Sequence, residues 1–121
     1  MSEARQTEIL ETYLAAPSDQ TIVTLCTATG TGAGSPVAIP AARMLVGSIP
    51  IHVSGTFVGT VAVEGTIATQ SEVDGLTAVW TQIEGGSFTT PTLTAVFTAP
   101  THIRANVTAY TSGTINIKGL I

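Results

Sequence analysis

Charge is scarce in this sequence. Asp, Glu, Lys and Arg together make up 10% of its 121 residues, against about 25% in ordinary soluble domains. Only four residues are basic, Arg5, Arg43, Arg104 and Lys118, and they are scattered along the chain. Binding to a phosphate backbone needs clustered cations, so nucleic acid is excluded as an expected partner. A single cysteine, Cys26, rules out an intrachain disulfide. Two histidines, His52 and His102, are too few for a local metal cluster, and neither has a carboxylate or thiol at the spacing of a structural zinc site. No apolar run approaches the roughly 18 residues of a membrane-spanning helix, so no membrane is expected as a partner. The first residues, MSEARQTEILETYLAAPS, carry acids where a secretory leader has basic residues, and they lack its apolar stretch.

Reactive constellations are equally thin. The stretch TATGTGAGSP, residues 27–36, is rich in glycine. It has neither the dinucleotide fingerprint nor the Gly-Lys-Ser/Thr of a phosphate loop, and it leads into an expected strand, so it reads as a flexible connection. There is no Gly-x-Ser-x-Gly elbow, and Cys26 sits within an apolar strand as a small hydrophobe. Glu64, Glu72, Asp74 and Glu84 could supply paired carboxylates, but each lies beside a turn signal, where acids are common. No catalytic, metal-binding or cofactor-binding residue is assigned, and an enzyme is not expected. Asn106-Val107-Thr108 matches a glycosylation acceptor, a short pattern that arises often by chance.

What the chain does have is threonine, 22 copies, a residue that favours strands and solvates a surface with hydroxyls. Mean hydropathy is +0.43 at a net charge of −4. Such a surface suggests that part of it is covered, most simply by self-association. One helix is expected, over 2–16, where Ile9, Leu10, Tyr13 and Leu14 form an apolar stripe and Pro17 ends the pattern.

From Thr21 the period becomes two. Strands are expected over 21–28, 37–42, 49–54, 58–66, 76–83, 92–98, 103–110 and 114–120, separated by Gly, Pro and Asp-Gly signals. The last two should pair as a hairpin turning at Ser112-Gly113. Alternation puts Val61, Val63 and Ile67 on one inward face, Leu93, Ala95 and Phe97 on another, and Ile103, Ala105, Val107, Ile115 and Ile117 on a third. Trp80 is ambiguous between faces. The expected architecture is mainly β, an antiparallel β-sandwich or jelly roll of about seven or eight strands. An N-terminal helical arm, 1–20, precedes a β domain, 21–121. Arg104 points away from the core in the longest alternating strand, where Glu64 or Glu84 could pair with it across the sheet.

The second half can be set out in order: SGTFVGTVAVEGT at 54–66, LTAVWTQIEGG at 76–86, a Thr/Pro-rich loop, and APTHIRANVTAYTSGTINIKGLI at 99–121. An aromatic Gly-Thr-Val strand, a Trp-Thr strand, and an Arg-bearing strand with Ser-Gly before a final strand resemble small β-sandwich virion proteins of tailed bacteriophages. The resemblance implies a structural part of a phage particle made in the host cytoplasm. Its first form is a decoration or cement protein that forms a homo-oligomer, such as a trimer, and binds the major capsid protein. The alternative is a tail-fibre or adhesin module that binds glycan. A sugar site of that kind stacks aromatics on sugar faces, and this chain has few aromatics, most at positions expected to be buried. The residues expected to meet a subunit or the capsid are Ile9, Leu10, Tyr13, Leu14 and Arg104.

Overall fold

A computed structural model describes residues 21–121. The expected helix over 2–16, with Ile9, Leu10, Tyr13 and Leu14, lies outside them. Nine strands and two short helices follow one another: β1 (Ile22–Ala28), β2 (Gly32–Ala33), β3 (Val37–Ala38), α1 (Ala41–Val46), β4 (Ile49–Ser54), β5 (Phe57–Thr66), α2 (Gln70–Asp74), β6 (Thr81–Phe88), β7 (Thr92–Val96), β8 (His102–Gly113) and β9 (Ile115–Leu120). They build two antiparallel sheets. One has the order β1-β9-β4-β7; the other has the order β2-β8-β5-β6, with β3 also on β8.

One core lies between them. Ile49, Ile51 and Val53 of β4 and Ile115 and Ile117 of β9 face it from the first sheet; Val61 and Val63 of β5 and Ile103, Ala105 and Val107 of β8 face it from the second. All are fully or nearly fully buried. The alternation read from the sequence therefore assigns the faces of β5, β8 and β9 correctly.

The expected hairpin does not form. β8 pairs with β5, β2 and β3, whereas β9 pairs with β1 and β4, so the chain crosses from one sheet to the other at Gly113-Thr114. Alternation tells which side of a strand is apolar but not which strand lies beside it, and it is the same for a hairpin and for an arch between sheets. The twelve residues of β8 instead pair along the ten of β5.

Other departures have local causes. Leu93 and Phe97 are exposed, at 75% and 80%, and the residue of that strand in the core is Val96. Residues directly opposite in an antiparallel pair share a face. The register Ile49↔Val96 and Ile51↔Thr94 turns β7 the other way from the expected one. Ile67, expected with Val61 and Val63, lies past the end of β5 and is 86% exposed. The glycine-rich stretch does not hang free: β2 within it pairs with β8, and Gly34 donates to Ala105 O at 2.6 Å. A Cβ at Gly34 would collide with Leu25 O, so this approach requires glycine.

The expected strand over 37–42 is cut to Val37–Ala38 because Pro40 caps a helix, α1, in which Arg43 is buried and donates to Ser48 O at 3.3 Å. The expected strand over 76–83 begins only at Thr81 and continues through Gly85-Gly86 to Phe88, with a bulge against β5 between Ala62 and Glu64. Before it stands α2, held by a capping box in which Thr69 Oγ1 accepts from Glu72 N and Glu72 Oε1 accepts from Thr69 N. Thr69-Gln70-Ser71-Glu72 is the sequence signature of that motif. The described residues thus hold two short helices where only strands and turns are expected.

Cys26 is half-buried. A bulge between Thr24 and Cys26 in β1 brings both Leu25 and Cys26 against the core, and burial pushes the Cys26 thiol above its ordinary range.

Candidate functional site

The outer face of the second sheet carries a polar row that the register assembles. Glu64 and Arg104 are direct partners across β5 and β8, and Arg104 Nε lies 2.8 Å from Glu64 Oε1, the first of the two acids the sequence offered it. Asn106 Nδ2 donates to the other carboxylate oxygen at 3.3 Å. The indole of Trp80, in the segment leading into β6, lies under the Arg104 guanidinium at 4.5 Å from ring centroid to Cζ. Arg104 is thus held on both sides within its own chain, by a carboxylate and by an aromatic face. The Asn106 amide that would accept a glycan is likewise engaged with Glu64.

Because both partners of the pair are largely covered, at 23% and 14% exposure, Arg104→Ala should be felt. It strands Glu64 beside a bare indole. We expect a loss of about 1–3 kcal/mol in urea unfolding, and a coupling of about 1 kcal/mol with Glu64→Gln in a double-mutant cycle. Additive effects would show that the pair is incidental.

At the end where β5 finishes and β8 begins, a second polar group ties three segments together. His102, buried at 5% exposure, is 2.8 Å through Nε2 from Gln70 Oε1 and 3.0 Å through Nδ1 from Thr101 Oγ1. Thr101 Oγ1 is in turn 2.6 Å from Ala68 O, and Gln70 Nε2 donates to Asp74 Oδ1 at 2.9 Å. His102 is a packed histidine, and it pins α2 and the 66–68 segment to the base of β8. His52 is exposed on β4. Among the described residues no three His, Cys, Asp or Glu side chains gather in a metal-binding group.

Ala68, held by these ties, lines an open cleft of about 720 Å³. It lies between the 65–68 segment, the 77–84 stretch and residues 97–100, with Ile67, Val79 and Phe97 at its rim and Glu72 and Glu84 as its charged side chains. The three apolar side chains are 79–86% exposed. Beside the cleft Leu76 is 91% exposed and has a φ of 59°, a left-handed conformation that costs a leucine about 1–2 kcal/mol.

Ile22 at the start of β1 and Leu45 and Val46 in α1, just before β4, are exposed as well, and strand directions put them at the same end. Nothing in the packing of the two sheets calls for this concentration. Ile67 escaped the sequence reading because its alternation continues the buried row of Val61 and Val63, and Phe97 because the alternation of Leu93, Ala95 and Phe97 marks the outward side of its strand. The signal against Phe97 is Ala99-Pro100, which ends the strand pattern shortly after it.

No protein-family model, curated protein or solved structure matches the chain.

Proposed function

We propose that the two sheets form a jelly-roll β-sandwich and that the protein is a virion component of a tailed bacteriophage, a head decoration or cement protein. The strand orders β1-β9-β4-β7 and β2/β3-β8-β5-β6 support the first part: with β2 and β3 as two pieces of one broken strand, they have the eight-strand order of two Greek keys. The phage reading rests on the resemblance of residues 54–121. The observation that carries an attachment role is the apolar end of the molecule, where Leu45, Ile67, Leu76, Val79 and Phe97 stand almost fully in solvent on a domain whose core is already complete.

The mechanism is mass action. A protein that binds the assembled lattice and not its free subunits stabilises that lattice by its binding free energy, repeated at every site. The major capsid protein and further copies of this chain are the partners of this reading, and the virion is its location. Arg104, fastened to Glu64 and Trp80, serves as a rigid part of the outer face.

One observation favours the second reading, a tail-fibre or adhesin module for glycan. Phe97, expected in the core, offers an exposed ring beside the cleft with Gln82, Glu72 and Glu84 nearby as hydrogen-bonding groups. Immunogold labelling of purified particles separates the two: gold over the whole head is expected, gold confined to the tail tip establishes the adhesin, and particles without label defeat both.

A further inference from the structure

The apolar end is also where the N-terminal segment joins the fold. Thr21 N donates to Ile121 O at 2.7 Å and Ile121 N donates to Thr21 O at 2.9 Å, so the chain enters β1 at the end where β9 finishes. The same registers place the start of β4 and the finish of β7 there. Across the first sheet β1 and β7 are separated by β9 and β4, three inter-strand steps of about 4.8 Å, or roughly 14 Å. Leu14 precedes Thr21 by seven residues, a length of chain that spans up to about 25 Å. The segment is therefore long enough to reach the Phe97 side of the cleft.

Its chemistry suits that place. Ile9, Leu10, Tyr13 and Leu14 recur at helical spacing, while Glu8 and Glu11 fall on the opposite side of the same helical pattern. Arg5 stands one turn before Ile9, at the i, i+4 spacing that makes neighbours on a helix surface. The cleft presents the complement, an apolar rim of Ile67, Val79 and Phe97 with the carboxylates Glu72 and Glu84 within it. Leu76 extends the apolar rim with an exposed side chain on left-handed backbone.

We propose that this cleft is the docking site of the chain's own N-terminal segment, with Tyr13 and Leu14 against Phe97 and Val79 and with Arg5 beside the cleft carboxylates. The inference does not depend on the virion reading, but it draws on the same apolar end: where the segment covers Val79 and Phe97, attachment falls to Leu45 and the remainder of that end. A segment docked in its own copy covers that end from within; one docked in a neighbouring copy joins subunits.

Engineered cysteine pairs in the full-length protein test it. In a Cys26→Ala background, Leu14→Cys is combined with Val79→Cys at the cleft or with Val58→Cys, which is 59% exposed on β5 at the opposite end. Under copper-phenanthroline oxidation the Val79 pair is expected to form its disulfide at least tenfold faster than the Val58 pair. A fast-migrating monomer on a non-reducing gel marks docking within one copy and a dimer marks exchange between copies; either supports the site. Equal rates for the two pairs overturn it. As a second readout, Leu10→Asp combined with Leu14→Asp should speed amide hydrogen exchange around 77–80 and 97–99 at least tenfold. Unchanged exchange there also overturns the proposal.

Discussion

Val107→Asp is expected to yield no soluble folded protein, whereas Thr108→Asp, one residue on, should express and melt within a few degrees of the parent. Val107 is 2% exposed and lies opposite Val61, which is fully buried, in a core shared with Ile115 and Ile117 of the facing sheet. A carboxylate there has no cation or donor to meet it. Removing it from water costs several kcal/mol, on a domain whose whole stability is about 5–15 kcal/mol. Thr108 points to solvent, and its single hydroxyl contact, to Thr60 O at 3.5 Å, is too long to matter. Circular dichroism melts of the two variants decide the matter. Equal behaviour would mean that β8 presents its other face to the core.

That contrast marks what the sequence makes legible. A strand buried on one side writes its face into the chain as alternation, and Ile103, Ala105, Val107, Ile115 and Ile117 are all found where alternation puts them. The Arg104–Glu64 pair is legible only in part: alternation puts Arg104 on the outer face with Glu64 or Glu84 as its acid, and the β5–β8 register then selects Glu64. Partnership between strands is written far more weakly. Ser112-Gly113 between two alternating runs describes a hairpin and a crossing between sheets equally well, and only the competition for pairing with β5 and β4 separates them. The face of β7 was misread for a related reason. In an edge strand Thr94 can take an inward position with part of its surface wet, and Leu93 can point outward without penalty enough to forbid it. The candidate cleft inherits that misreading at Phe97, which alternation turns outward once Val96 is inward, whereas Ile67 continues the buried row of Val61 and Val63 past the end of β5. α2, by contrast, is missed by a reading that assigns helix only to 2–16, although its capping box, Thr69 to Glu72, stands in the sequence.

Gly113→Ala should be the most damaging conservative change in the molecule, because the crossing between sheets passes through that residue. Gly113 has a φ of 90°, where an L side chain is strained by about 1–2 kcal/mol. Strain is the smaller part. A Cβ there would run into Thr56 O and the Cα of Phe57, which are backbone atoms that cannot step aside as a side chain would. Relief requires opening the Phe57↔Gly113 pairing and the 3.0 Å bond from Thr114 N to Thr56 O, the contacts that aim β9 into the first sheet. We expect a loss of at least about 3 kcal/mol, a fall in Tm of roughly 12 °C or more for a domain of this size. Gly30→Ala is the control: a Cβ there meets nothing within 4 Å, and the melt should move by no more than a few degrees. Gly113→Asn then separates the two topologies that the sequence allows. Asn tolerates left-handed backbone, so in a simple two-residue hairpin turn it would replace glycine at little cost. In the arch it brings the same obstructing Cβ as alanine, so Gly113→Asn should destabilise as much as Gly113→Ala. An asparagine variant that melts like the parent would place β9 beside β8 after all.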